Sequence, residues 1–177
     1  SQIVMSLVVG QLFEKLGCKV NYTYTDNQSV YESIRVGEIT IELAVWESSF
    51  SKSFNSALDK GGILDAGTHD AITREEWWLP DFTIKMCPGL PNWKFLNKCS
   101  DMFARPGSGG KGVYIDGPAE WLRDNKRIEA LGMNFVTVNV NKTAALWTEL
   151  ETAYKNKKPI VLFNWSPNFT DALYGGQ

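Results

Sequence analysis

Apolar positions recur at helical spacing from Ile3 to Leu16, where Val4, Leu7, Val8, Leu12 and Leu16 gather toward one face and Gly17 supplies a C-terminal stop. This spacing predicts a helix. From Val20 to Thr25 the run Asn21-Tyr22-Thr23-Tyr24 alternates polar and aromatic side chains and predicts a strand. Ser29-Val30-Tyr31-Glu32 has the form of a capping box, which predicts a second helix reaching toward Gly37. Ile39 to Trp46 is β-branched and largely apolar, the pattern of a buried strand. Helix, strand, helix, strand is the rhythm of an α/β domain with a parallel sheet.

Past Gly61, Gly62 and Gly67, Arg74 to Pro80 reads as a short extended segment, and Pro80-Asp81 changes its direction, the form of a crossing between lobes. Pro91 to Cys99 predicts a short helix and Val113 to Asp116 a strand. Gly117-Pro118-Ala119-Glu120-Trp121 opens another helix with proline in its first turn. Phe135 to Val140 predicts a strand. Ala144 to Asn156 predicts a helix with Leu146, Leu150, Ala153 and Tyr154 on one side, and Pro159 ends it before a last strand, Ile160 to Phe163.

The chain has 177 residues, 44% hydrophobic and 21% charged, so it can bury a core and fits neither the disordered nor the fibrous class. A formal charge of −2 with no Lys/Arg run longer than two residues gives no electrostatic footprint for nucleic acid or a membrane surface. Apolar stretches such as Ile3 to Val9 fall far short of the roughly 20 residues that a spanning helix needs. Opening inside a helix, at Ser1-Gln2-Ile3-Val4, reads as processing or truncation. Of three cysteines, Cys18 is expected in the core. Cys87 and Cys99 bracket the turn-rich Pro88-Gly89-Leu90-Pro91, which suits a local disulfide in an oxidising compartment; two reduced buried thiols are the alternative.

Seven tryptophans and a single histidine, His69, steer the chemistry. One histidine argues against triad, His-metal and His acid–base catalysis, and no metal or cofactor is expected. Gly107 to Gly112 fails as a phosphate loop because Lys111 is followed by Gly112 rather than Ser or Thr, so it reads as a turn before a strand. Glu75 and Glu76 are adjacent on an extended segment and point to opposite faces, so they cannot flank one reacting bond.

Trp46 and Trp165 each fall at the C-terminal end of a predicted strand, where open α/β sheets place their ligands. Trp121 lies at a predicted helix start, Trp77 and Trp78 lie on the presumed crossing, and Trp147, inside an amphipathic helix, is expected in the core. Several indoles lining one cleft select a particular guest. A methylated ammonium donates no strong hydrogen bonds, but its spread charge gains about 0.5–2 kcal/mol on each ring face. Two other classes compete: a small-amine-processing α/β enzyme with Glu75 or Glu76 as base, which lacks a nucleophile, cofactor loop or metal set, and a sugar-binding lobe, which would carry more Asp, Asn and Arg.

Glu14-Lys15-Leu16-Gly17, Ala44-Val45-Trp46-Glu47, Arg74-Glu75-Glu76-Trp77-Trp78-Leu79-Pro80-Asp81, Gly117-Pro118-Ala119-Glu120-Trp121 and Phe163-Asn164-Trp165-Ser166-Pro167-Asn168 stand in an order that resembles the substrate-binding proteins of ABC importers for glycine betaine, proline betaine and choline. The trimethylamine N-oxide type is the nearest. This resemblance implies a two-lobed α/β fold of the periplasmic-binding-protein (Venus flytrap, type II) class that closes on its ligand. One lobe is 83–162; the other, 1–82 with 163–177, is incomplete. It implies Trp46, Trp121 and Trp165 as cage walls, with Trp77 or Trp78, Trp93 and an acidic residue, Glu75, as further pocket residues. It also implies a monomer, not an enzyme, in the periplasm or membrane-associated outside the cell, passing a methylated amine to a membrane permease. A Glu75 carboxylate repels the carboxylate of glycine betaine but tolerates choline, or an N-oxide oxygen sharing its proton, so trimethylamine N-oxide ranks first.

Overall fold

The computed structural model describes residues 2–121 and 124–174. The chain forms two compact units, Ser1–Ala71 and Ile72–Gln177. The first holds helices α1 (Gln2–Lys15), α2 (Val30–Arg35) and α3 (Glu47–Lys60). Helix α1 ends as its sequence requires. Gly17 takes a φ of 87° and its N–H bonds Glu14 O at 2.9 Å, while the Cys18 N–H reaches Phe13 O at 3.0 Å, which satisfies the last carbonyls. Val30 and Tyr31 of α2 are buried with Phe50 and Ala57 of α3, and the Tyr31 and Phe54 rings meet edge to face at 5.8 Å.

Several expectations for this unit do not hold. The strands at Val20–Thr25 and Ile39–Trp46 are absent; both segments are irregular, and the described residues 2–71 contain no strand at all. A strand needs a neighbour to take its backbone hydrogen bonds, and none lies within this unit. The capping box at Ser29 does not close either. Asp26 Oδ1 accepts the N–H groups of Gln28 and Ser29, each at 2.9 Å, and Glu32 turns to Arg35 instead. Cys18 is an exposed free thiol rather than a core residue. Helix α3, whose inner face carries Phe50, Phe54 and Ala57 at helical spacing, is not among the predicted elements.

The second unit carries strands β1 (Arg74–Trp78), β2 (Gly112–Asp116), β3 (Phe135–Asn139) and β4 (Val161–Ser166). Its helices are α4 (Asp81–Met86), α5 (Trp93–Lys98), α6 (Asp124–Ala130), α7 (Thr143–Lys155) and α8 (Phe169–Leu173). The sheet order is β1-β4-β2-β3, and it is mixed rather than parallel: β2, β3 and β4 run together and β1 pairs antiparallel with β4. Expected strands and helices in this unit lie within a residue or two of those found, apart from the last strand, which runs three residues beyond Phe163 to Ser166, and the helix at Pro118. There a 3-10 turn, Ala119–Trp121, comes first, and α6 is described from Asp124. Helices α4 and α8 were not anticipated.

The core is legible from the residue types. Leu146, Leu150 and Ala153 form one stripe of α7 and pack with Tyr114, Ile115, Ile160, Val161 and Leu162 of the central strands. The bonded pair Cys87–Cys99, with Cα atoms 6.3 Å apart, ties the end of α4 to the end of α5. These compact units and the lobes implied by resemblance are different divisions of the chain. The implied boundary at 162/163 falls inside β4, which pairs with β1 on one side and β2 on the other.

Candidate functional site

An antiparallel register decides which side chains share a face. Glu75 pairs with Trp165 and Trp77 with Phe163, so these four project from one side of the sheet; Glu76 pairs with Asn164 and Trp78 with Leu162 on the opposite side. Alternation separates Glu75 and Trp77 from Glu76 and Trp78, and the register decides that the first pair shares the face of Trp165. Trp78 is only 2% exposed and lies in the hydrophobic core, so of the pair Trp77 or Trp78 it is Trp77 that shares the face of Glu75 and Trp165.

On the Glu75 face the rings converge. Trp165 has the Trp147 ring at 5.1 Å, Phe163 at 5.8 Å and Trp121 at 6.0 Å, the last edge to face. Trp147 continues the cluster to Phe169 at 5.3 Å, and Trp121 also meets Phe163 at 6.3 Å. Trp121, Trp147 and Trp165 are half-buried, so each presents part of its ring surface. Trp77 stacks on Tyr114 with centroids 4.3 Å apart and planes 25° from parallel.

Local sequence explains why these rings hold their places. Trp165 ends β4, and Asn168 then caps α8: its side chain accepts the Phe169 N–H at 2.8 Å, and Asp171 returns a bond to the Asn168 N–H at 3.0 Å. Buried Asn164 donates to Thr170 Oγ1 at 3.1 Å, fastening α8 to the strand before it and setting Phe169 against Trp147. Gly117 allows Trp121 to lie flat on the chain, since a Cβ there would stand 2.7 Å from the Trp121 ring.

Buried charge lies next to these walls. Tyr114 Oη donates to Asp124 Oδ2 at 2.8 Å, Arg127 pairs with the other oxygen of Asp124, and Asp116 Oδ1 accepts the Gly117 N–H at 3.0 Å. Burial, and then the Asp124 charge, push the Asp116 carboxyl up to about 7, and burial holds the Tyr114 hydroxyl well above its ordinary range.

The remaining candidates belong to other elements. Trp46 is half-buried at the N-terminus of α3, in the first unit, with its carbonyl accepting the Phe50 N–H at 2.9 Å. Trp93 opens α5, 39% exposed, with Lys94 Nζ 6.0 Å from its ring centre. His69 is exposed, and its Nδ1 accepts a local bond from the Ala71 N–H at 3.3 Å. A groove of about 530 Å³ in the first unit, between α1 and the irregular segments, is lined by none of the expected site residues. Sequence reasoning missed Trp147, Phe163 and Phe169. Phe163 could have been found from its i, i+2 relation to Trp165; Trp147 sits beside the Leu146–Leu150 stripe, not on it, a hint that it edges the core.

With the geometry in hand, the whole chain, residues 1–177, matches the family described as the substrate-binding domain of ABC-type glycine betaine transport systems. It is 47% identical over 179 residues to a trimethylamine N-oxide-binding protein of Pelagibacter ubique, covering 97% of this chain and 57% of that protein. Among solved structures, the fold is similar to the glycine betaine/L-proline-binding protein ProX of Borrelia burgdorferi, with a TM-score of 0.81, 15% identity, and coverage of 99% of this chain and 63% of that one. It is also similar to lactococcal OpuAC in its closed form with glycine betaine, with a TM-score of 0.75, 16% identity, and coverage of 99% and 65%. The chain thus spans less than two thirds of the length of each.

Proposed function

We propose, from the premise that this chain belongs to the substrate-binding domains of ABC-type glycine betaine transport systems, that it binds a methylated ammonium solute, with trimethylamine N-oxide ranked first and choline or glycine betaine next. The observation that carries this reading is the ring cluster around Trp165, with Glu75 its cross-strand partner on the same sheet face. Trp121 and Trp165 form walls, Trp147 and Phe169 extend them, and Trp77 and Glu75 flank them. Trp46 and Trp93 stand in the proposal on the resemblance alone. The lobes, 1–82 with 163–177 and 83–162, are part of the same proposal.

Each indole face contributes about 0.5–2 kcal/mol to a methylated cation, so three or four faces give useful affinity without any covalent step. Glu75 sets the choice among guests, because its carboxylate opposes a second carboxylate but tolerates an N-oxide oxygen that shares a proton with it. The protein acts outside the cytoplasm, where the Cys87–Cys99 bond is stable, as a monomer passing its guest to a membrane permease.

Calorimetric titration of the full-length protein with trimethylamine N-oxide, choline, glycine betaine and a panel of sugars tests the reading. The N-oxide should bind tightest, Trp165→Ala and Trp121→Ala should each weaken it more than tenfold, and Glu75→Gln should cost the N-oxide more than betaine. Binding of sugars in preference to methylated amines, or unchanged affinity in both tryptophan variants, would refute it.

A further inference from the structure

The carboxyl end of β2 holds a charge arrangement that packing alone does not require. Asp116 is 1% exposed and Asp124 is 5% exposed, and the Tyr114 hydroxyl faces both carboxyls. Among the described residues the only cation bonded to this pair is Arg127, and it is bonded to Asp124. Among the described residues, the strand neighbours on the same sheet face carry no balancing charge. Asn139 of β3 is the register partner of Asp116, β4 contributes Phe163, and β1 contributes Trp77 and the acidic Glu75. Among the described residues two buried carboxyls share one guanidinium, a balance in which one carboxyl holds a proton or takes a positive charge from outside.

This pair touches the aromatic site at two points. Tyr114, on the same strand and face as Asp116, is the ring under Trp77, and Gly117, whose N–H bonds Asp116 Oδ1 at 3.0 Å, is the residue on which Trp121 lies. An asparagine at 116 would accept the same Gly117 bond without the cost of burying a charge. Resting on the ligand class argued above, we propose that Asp116 is a positioning residue that sets Trp121 through Gly117 and links the binding of a methylated ammonium to release of a proton from a buried carboxyl pair. When ionised, Asp116 grips the Gly117 N–H more strongly and adds negative charge behind the walls; when protonated, it does neither. Ionisation is therefore favoured in the bound state, and affinity rises with pH. A carboxyl held up to about 7 puts this change in the physiological range.

Two measurements on the full-length protein test this, one of them without ligand. Tryptophan emission of the free protein, followed from pH 5.5 to 8.5, should show a transition near pH 7 that Asp116→Asn abolishes. Asp124→Asn should move it to lower pH by removing the repulsion, and exposed His69→Gln should leave it unchanged. Affinity for choline should rise three- to tenfold from pH 6 to pH 8 and stay flat in Asp116→Asn. A featureless emission profile in the wild type, loss of the transition in His69→Gln, or an unaltered profile in Asp116→Asn would overturn the proposal. Should Asp116→Asn fail to fold, the wild-type and His69→Gln profiles still decide. If no methylated amine binds, the ligand reading falls while the emission profile judges Asp116 separately.

Discussion

Residues Ser1–Ala71 and Ile72–Gln177 both carry helix-like and strand-like apolar runs, yet they use them differently. In the second unit apolar side chains are matched to strands that have partners, and Tyr114, Leu146, Leu150, Val161 and Leu162 lose all solvent contact. In the first, Ile3, Val4, Leu7, Val8, Leu12 and Leu16 of α1 and its end stay exposed, and two strand-like segments have no ladder to join. The lesson is that a β-rich run is only half an instruction; the other half is a neighbour at hydrogen-bonding distance.

The largest effect should separate the two units in chemical denaturation. Leu162→Ala, at a side chain with 0% exposure, should cost about 2–5 kcal/mol by leaving a cavity. Leu7→Ala, at 44% exposure, should cost under about 1 kcal/mol. Equal losses would break the contrast. Reducing the disulfide should remove about 3 kcal/mol, as expected for opening a short loop, whereas alkylating exposed Cys18 under native conditions should leave the unfolding curve in place.

Acid titration distinguishes the units by sign. Asp116 has its carboxyl raised chiefly by burial, so the folded state holds a proton that the unfolded state releases. Its contribution is intact below about pH 4 and is lost as pH rises toward about 7. Asp26, in the first unit, has its carboxyl lowered chiefly by the Ser29 hydroxyl and by the N–H groups of Ser29 and Gln28, so its contribution is present above the usual carboxylate range and is lost on acidification. Asp116→Asn should therefore gain stability over wild type as pH climbs from 5 to 8, by on the order of 2 kcal/mol, and the gap should close at pH 4. A pH-independent gap would show that charge burial is not the cause.

The smallest contrast is between two helix starts. Asn168→Ala removes a formed capping box and should cost about 1 kcal/mol, while Ser29→Ala, at a start with no side-chain cap bond, should cost under about 0.5 kcal/mol. Thermal unfolding of both variants measures the difference.

Much of the second unit could be read from the chain because each signal there was local and self-consistent. The Leu146, Leu150, Ala153 stripe marked α7, and short β-branched runs marked β2, β3 and β4. Strand direction was not legible, since periodicity is the same in parallel and antiparallel strands; only the pairing of β1 with β4 showed the sheet to be mixed. In the first unit the same kind of signal misled, because Val20–Thr25 and Ile39–Trp46 found no partner. Trp121 and Trp165 were legible as site candidates from their places at element ends. Trp147 was not, because a helical tryptophan beside a leucine stripe reads as core until its neighbours are known.

Residue types and spacing by themselves determined the α/β character of the second unit, the stop at Gly17, the bracketing of a turn by Cys87 and Cys99, and a chain of seven tryptophans and one histidine. Those are properties of adjacent residues and of a repeat along one element. Only the tertiary structure decided that Glu75 and Trp77 share a face with Trp165 while Trp78 is core, that Trp147 and Phe169 join the ring cluster, and that Asp116 and Asp124 lie buried around one tyrosine hydroxyl. Each of those depends on the register between strands far apart in the chain, which local propensity does not encode.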